Sequence, residues 1–283
     1  MSAPQNTIAL IFDFDDTLTD DSTTRLLEEH GVDGTDFWKN QFAPLVDDGW
    51  DPTPAYLKLI LDLVGDGKPL GTASNHSLRE FGRRLKFYPG LPGLFKDLVD
   101  QVRQHTLSNP TIEFYVISGG LEEIILGSSI AKYLTAIRGC RFAETDGVIS
   151  AIKNMVTFTE KTRYLFEISK GPMSQDRPNP YAVNNNVEPE NRRIPFSNMI
   201  YVGDGLTDVP CFSLLQKFGG RAFGVFDPKK QGSPRKAWEQ LVAPKRVSTL
   251  NSPKYRAADD LGALLRVAVQ GICYALDVRT GTA

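Results

Sequence analysis

Four aspartates, one lysine and one serine in this 283-residue chain have the types and spacing that chemistry needs. Asp13 and Asp15 stand two apart in IFDFDDTLT, directly after an apolar run. Carboxylates held that close repel, and a proton or a cation must relieve them. A hard ion such as Mg2+ suits oxygen ligands of this kind, although solvated turn residues or a helix N-cap would also read this way. Asp204 and Asp208 are four apart in GDGLTD. They fit the second half of a metal site, or for Asp208 an acid in the first turn of a helix. A dinucleotide loop fits less well, because the third glycine is missing and two carboxylates would repel a pyrophosphate. Ser118-Gly119-Gly120 offers a hydroxyl and bare backbone N–H groups to an anion at a helix start, or simply a Ser cap. Lys161 falls in the first turn of a helix, where a cation is slightly unfavourable. That cost suggests a use at the site, a solvated surface lysine being the alternative. Lys170 at the far end of the same helix complements its dipole, and Lys153 is less well placed.

These residues need strands and helices to bring them together. Thr7 to Phe12 is a continuous apolar run, as expected of a parallel strand covered on both faces. Similar runs lie at Ile112 to Ile117, Asn198 to Val202 and Arg221 to Phe226. Helical stretches at Leu91 to His105, Leu121 to Leu134, Thr159 to Lys170, Leu206 to Phe218 and Ala257 to Leu276 alternate with them. The alternation predicts an α/β fold with a doubly wound parallel sheet, in which ligands bind at the carboxyl ends of the strands. Residues 19–88 break the rhythm with four helical stretches, at Ser22 to His30, Thr35 to Val46, Thr53 to Val64 and Ser74 to Leu85. They are expected to form an inserted helical cap over a core of residues 1–18 and 89–283. Thr145-Asp146-Gly147 between short apolar stretches signals a hairpin. Gly171 to Pro195, polar and with five prolines, reads as a long mobile loop.

Composition narrows the function further. With 32 Lys+Arg against 34 Asp+Glu the net charge is −2, which gives no general basic footprint for nucleic acid or an anionic membrane. No uninterrupted apolar run approaches the roughly 18 residues that span a bilayer, and the N-terminus lacks the pattern of a signal peptide. Three scattered cysteines and three scattered histidines argue against a zinc site or a disulfide framework. The expectation is a cytoplasmic protein whose chemistry is done by carboxylates.

Taken together and in this order, IFDFDDTLT, YVISGG, FTEKTRYL and YVGDGLTDVP resemble the haloacid dehalogenase superfamily. Within it the chain is similar to phosphatases of the phosphoserine phosphatase group, with a helical cap inserted after the first motif. The resemblance runs from about Ile8 to Val225 and does not specify a substrate. It implies a Mg2+-dependent hydrolase of a small organic phosphate ester. Asp13 would be the nucleophile and Asp15 the general acid and base. Ser118, the Gly119 amide and Lys161 would hold the phosphate. Mg2+ would be held by Asp13, the Asp15 carbonyl and Asp204, supported by Asp208. A phosphotransferase using the same aspartyl phosphate, or less readily a receiver-like signalling protein, would carry the same residues. In the cap, Arg25, Glu28, Arg83 and Arg84 are the candidates for contact with the leaving group, while Phe37, Trp38, Phe42 and Trp50 read as cap core. Asp16 has no assigned role, and the oligomeric state is open.

Overall fold

A computed structural model of the chain describes residues 5–171, 173, 179–230 and 232–281. The first strand, β1 (Thr7–Phe12), is buried at every position, as its unbroken apolar run requires. Helical segments follow: α1 (Ser22–Glu29), α2 (Gly34–Asp36) leading through a π turn into α3 (Ala43–Asp47), α4 (Pro52–Asp62) and α5 (Asn75–Gly82). After α6 (Gly93–Val102) come β2 (Thr111–Leu121), α7 (Glu122–Gly127), β3 (Ala136–Thr145), β4 (Val148–Asn154) and α8 (Phe158–Lys170). The chain ends with β5 (Met199–Gly203), α9 (Val209–Lys217), β6 (Arg221–Val225), α10 (Ser233–Ala237), β7 (Thr249–Asn251) and α11 (Asp260–Gly281).

The strands form one seven-stranded sheet in the order β4-β3-β2-β1-β5-β6-β7. All neighbours are parallel except the β3–β4 hairpin, which turns at Asp146 and Gly147, both at positive φ. The sheet is flanked by helices, α6 beside α11 and α8 beside α9. From β1 the chain winds outward through β2 and β3, then returns to β5 on the other side of β1. The winding therefore reverses at β1, and the crevice beyond its carboxyl end is the expected ligand site of such a sheet.

Several elements differ from the sequence reading. The stretch 121–134 is not one helix. α7 ends after Gly127, where Ser128 caps the Ile125 carbonyl with both its N–H and its hydroxyl, and a short 3-10 turn follows at Ala131–Tyr133. The three-residue strand β7 and α10 were too short to leave a periodic signal. α11 is long and apolar enough to cross a membrane by length and composition alone, yet it places Leu261, Leu265, Val269, Ile272 and Leu276 in the core. In the 171–195 stretch, residues 172 and 174–178 lie outside the described residues. The rest is pinned rather than loose. Lys170 donates to the Val183 and Asn185 carbonyls at 2.7 and 2.9 Å, Ile194 is fully buried, and Arg193 pairs with Glu113.

The helices between β1 and β2 are held against the sheet by close backbone approach. α5 packs on α7 through two glycines: a Cβ on Gly82 would overlap the Ile124 carbonyl, and one on Gly127 would overlap the Arg79 backbone. The hairpin adds Ile149 N–H to the Ala73 carbonyl at 2.9 Å and the Glu144 carboxylate to the Asn75 N–H at 2.6 Å. Intrinsic propensity favours alanine over glycine by about 1 kcal/mol in a helix, but here the neighbour is backbone and cannot rotate away. Gly82→Ala is expected to destabilise the protein by about 1–3 kcal/mol. Chemical denaturation measures this, and a stabilised variant would show that the α5–α7 contact is looser than drawn.

Candidate active site

Asp13 is the first residue past β1, and its backbone N–H donates to the Val202 carbonyl of β5 at 2.9 Å. That bond ties together the two strand ends that carry Asp13 and Asp204. Asp13, Asp204 and Asp208 bring carboxylate oxygens within 4.8 Å of one another. Behind them lies Lys161 in the first turn of α8, 1% exposed. Its Nζ is 2.7 Å from Asp208 Oδ1, 3.2 Å from Asp13 Oδ1 and 3.3 Å from Thr207 Oγ1. Lys153, by contrast, is exposed on β4.

Asp208 is fully buried, and both its oxygens are engaged. Oδ1 accepts from Lys161 and from the Tyr201 hydroxyl at 2.8 Å, and Oδ2 accepts from the Gly205 N–H at 3.3 Å. It anchors the lysine and closes the 203–208 loop. Gly203 must lack a side chain, because a Cβ there would overlap the Asp208 carboxylate. Asp15 turns the other way. Its Oδ1 accepts from the Ser22 N–H at 2.8 Å, and its Oδ2 lies so close to Gly120 that a Cβ there would stand 2.5 Å away. Asp16, left unassigned by the sequence, adopts φ +54° and pairs with Lys230 at 2.5–2.6 Å.

The serine differs from its expected setting. Ser118-Gly119-Gly120 is not a strand-to-helix turn but an irregular stretch inside β2, where the register with β3 shifts between Ile117 and Leu121. Ser118 Oγ accepts from the Gly120 N–H at 2.9 Å. The helix that follows starts with the acidic Glu122 and Glu123, which oppose an anion at its N-terminus. No helix dipole therefore favours an anion at Ser118.

Asp13, Asp15, Ser118, Gly119 and Asp204 open onto one cavity of about 220 Å³. Asp16, Asp21, Thr23, Trp38, Tyr56, Gly120 and Thr207 complete its lining. The expected cap contacts are elsewhere: Arg83 pairs with Glu80, Arg84 with Glu29, and neither these nor Arg25 or Glu28 line the cavity. Trp38, expected in the cap core, does line it. Phe37 is fully buried and Phe42 packs on Trp38, as expected of core residues, while Trp50 is exposed. The sequence did not single out Asp21, which caps α1 through Thr24, or Tyr56, whose contact with Gly119 spans 63 residues.

Burial of several acids together shows in their proton affinities. Burial pushes the Asp13 carboxyl up to about 6, with Lys161 pulling against it and Asp208 adding to it. Burial pushes Asp15 up to about 8, helped by Asp21. Asp204 is held well above the usual range by burial, then by Asp13 and Asp208. Burial disfavours the Lys161 ammonium, yet Asp13 and Asp208 raise it above its ordinary range. A carboxyl with raised proton affinity in the fold stabilises it at pH below the unfolded value of about 4. That contribution is lost as pH climbs through the folded values, here about 6 and 8. Without divalent cation the Tm is expected to fall between pH 5 and 9. Added Mg2+ should restore it at the alkaline end and do little at pH 5. A Tm independent of both pH and Mg2+ in thermal melts would contradict this.

No protein-family model matches the chain. An uncharacterised protein of Borreliella burgdorferi is 31% identical over 237 residues, spanning 76% of this chain and 80% of that protein. A HAD-family hydrolase from Salmonella enterica serovar Typhi matches with a TM-score of 0.58 at 17% identity, over 95% of this chain and 72% of that one. The chain belongs to one family with the Borreliella protein, on the haloacid dehalogenase fold. A phosphoserine phosphatase captured as a phospho-aspartyl intermediate analogue gives a TM-score of 0.55 at 14% identity, over 93% of this chain and 99% of that one. A probable phosphoserine phosphatase from Vibrio cholerae gives 0.53 at 14%, over 97% and 68%. On this haloacid dehalogenase fold, the four stretches that carried the resemblance meet at the carboxyl edge of the sheet around β1, although they are up to about 190 residues apart in the chain.

Proposed function

We propose that the protein is a Mg2+-dependent phosphomonoester hydrolase that acts on a small organic phosphate through an aspartyl-phosphate intermediate. The observation that carries this reading is the grouping around Asp13. One oxygen each of Asp13, Asp204 and Asp208 lie within 4.8 Å of one another, Asp13 Oδ1 is 3.2 Å from Lys161, and Asp13 lines one cavity with Asp15, Ser118 and Asp204. Buried acids this close are costly unless cations answer them. The structural likeness to hydrolases and phosphatases supports the same reading. Residues 19–88 would serve as a cap over the core formed by residues 1–18 and 89–283, and the three buried, unpaired cysteines suit a reducing cytoplasm.

The clustered carboxylates of Asp13 and Asp204 fit a hard divalent cation, while Asp208, with both oxygens engaged, stands behind them. Asp13, Asp204 and the Asp15 carbonyl would hold Mg2+, with Asp208 in support. When bound, the ion neutralises phosphate charge and lets a dianion approach three acids. The protein's own groups then do the chemistry. Asp13 attacks phosphorus, forming one O–P bond as the ester O–P bond breaks. Asp15, whose burial beside Asp21 favours the protonated form, would give its proton to the departing alcohol oxygen. Asp15 next takes a proton from water, which attacks phosphorus and frees Asp13 and inorganic phosphate. Ser118 would hold the phosphoryl oxygens in line while Lys161, behind Asp13 and Asp208, offsets their charge, and such positioning and charge stabilisation are most of what phosphoryl transfer needs.

Hydrolysis of p-nitrophenyl phosphate is expected with Mg2+ and is expected to stop with chelator. Activity that survives complete chelation would refute the metal requirement. Adding simple alcohols as acceptors separates hydrolase from transferase: free phosphate should remain the main product. A phosphoenzyme lasting minutes would instead favour a signalling role, which Asp15 beside Asp13 opposes.

A further inference from the structure

The rest of the cavity lining carries the information about the leaving group. Asp21, Trp38 and Tyr56 belong to it, and among the described residues no Lys, Arg or His lines the cavity. The charges can be followed one by one. Lys161 answers Asp13 and Asp208, the proposed cation answers Asp13 and Asp204, and Lys230 answers Asp16. Asp21 makes no ion pair among the described residues. Its oxygens accept only from the Thr24 N–H at 3.0 Å and the Thr24 hydroxyl at 2.5 Å.

That same hydroxyl accepts from the Trp38 indole N–H at 2.6 Å. One threonine thus couples the orientation of the indole to that of the carboxylate. Tyr56 donates its hydroxyl to the Gly119 carbonyl at 2.5 Å, and its ring lies 6.2 Å from that of Trp38, tilted by 45°. The polar atoms of both aromatic residues are therefore used up within the protein. An uncompensated carboxylate beside two fixed aromatic rings is an environment that attracts an alkylammonium group and offers nothing to an anion.

We infer that the substrate is the phosphate monoester of a short amino alcohol, its ammonium held by Asp21 with Trp38 and Tyr56. The inference rests on the hydrolase reading above and adds the substrate class. Asp13 and Ser118 mark where the phosphate would sit, and Asp21, Trp38 and Tyr56 line the same cavity beside them. At about 220 Å³ the space is below the roughly 300–1,000 Å³ of drug-sized ligand sites, which favours a short ester over a nucleotide. An alcohol that carries a carboxylate, as serine does, would meet Asp21 and, among the described lining residues, no basic side chain.

The test compares pairs that differ only in charge. Choline phosphate is set against 3,3-dimethylbutyl phosphate, and ethanolamine phosphate against propyl phosphate, with phosphoserine and glycerol phosphate alongside. At least one ammonium ester should exceed its uncharged partner in kcat/KM by roughly tenfold or more, and phosphoserine should be poorer still. In Asp21→Asn, which keeps a capping acceptor for α1, the ratio should fall toward one; Trp38→Leu should lower it as well. Equal rates within both pairs, or a preference for phosphoserine or glycerol phosphate, overturn the inference and leave the hydrolase reading standing. If no ester is hydrolysed, p-nitrophenyl phosphate included, the hydrolase reading falls and the inference falls with it.

Discussion

Asp13→Asn is expected to lower kcat on any phosphate ester by on the order of 10⁴–10⁶-fold, as removal of an essential nucleophile does. The amide has the same shape, so the fold should persist. Indeed it should be slightly more stable at alkaline pH, because one of the buried acids that crowd Asp204 and Asp208 is gone. The pairing of lost activity with retained or increased Tm is what distinguishes a chemical role from a structural one. A phosphoenzyme trapped from the native protein by acid quench should be absent in the variant. A variant that keeps a tenth of native activity would show that another group attacks phosphorus, and the mechanism would have to be redrawn.

Lys161→Met should have the second-largest effect, and a mixed one. The methionine fills most of the space but leaves Asp208 and Asp13 without their cation in a site from which water is excluded. Removing one partner of such a buried cluster costs about 3–5 kcal/mol. In a chain of this length that lowers Tm by on the order of 10 °C. Activity should also fall, by roughly 10²–10³-fold, the usual loss for one preorganised charge at a transition state. Asp208→Asn in the same background separates the two effects. The amide oxygen can still accept from the Gly205 N–H while the amide nitrogen donates to the Tyr201 hydroxyl, and a charge is removed, so the double variant should recover about 1–2 kcal/mol of the lost stability and none of the lost turnover. If stability is not regained, the Lys161–Asp208 pair is not what holds α8 to the 203–208 loop.

Lys161 and Lys230 illustrate how unevenly such a site can be read beforehand. Lys161 was legible because a cation in the first turn of a helix opposes the dipole, and because the helix begins at the edge where ligands bind. Lys230 had no such mark. Its pairing with Asp16 spans 214 residues, so nothing local to either residue announces it. Ser118 lies between these cases. Its type and its following glycines were informative, but the strand continues through it to Leu121, where a turn into a helix was expected. Apolar β2 residues and the irregular pairing with β3 carry the strand past the serine, and only the neighbouring strand decides that.

The sequence by itself determined the sheet, the hairpin at Asp146-Gly147 and the chain positions of Asp13, Asp15, Ser118, Lys161, Asp204 and Asp208. These depend on local facts: unbroken apolar runs for buried parallel strands, a turn pair for the hairpin, and polar groups placed just beyond strand ends. Only the tertiary structure decided that Asp208 is fully engaged as an anchor, that α5 meets α7 at two bare glycines, and that Asp21, Trp38 and Tyr56 line the same cavity as the acids. Each of these is a juxtaposition of segments far apart in the chain. Periodicity and spacing specify which face of an element is buried, but not which distant element buries it. That is settled by long-range packing, where the shapes and charges of both partners count at once.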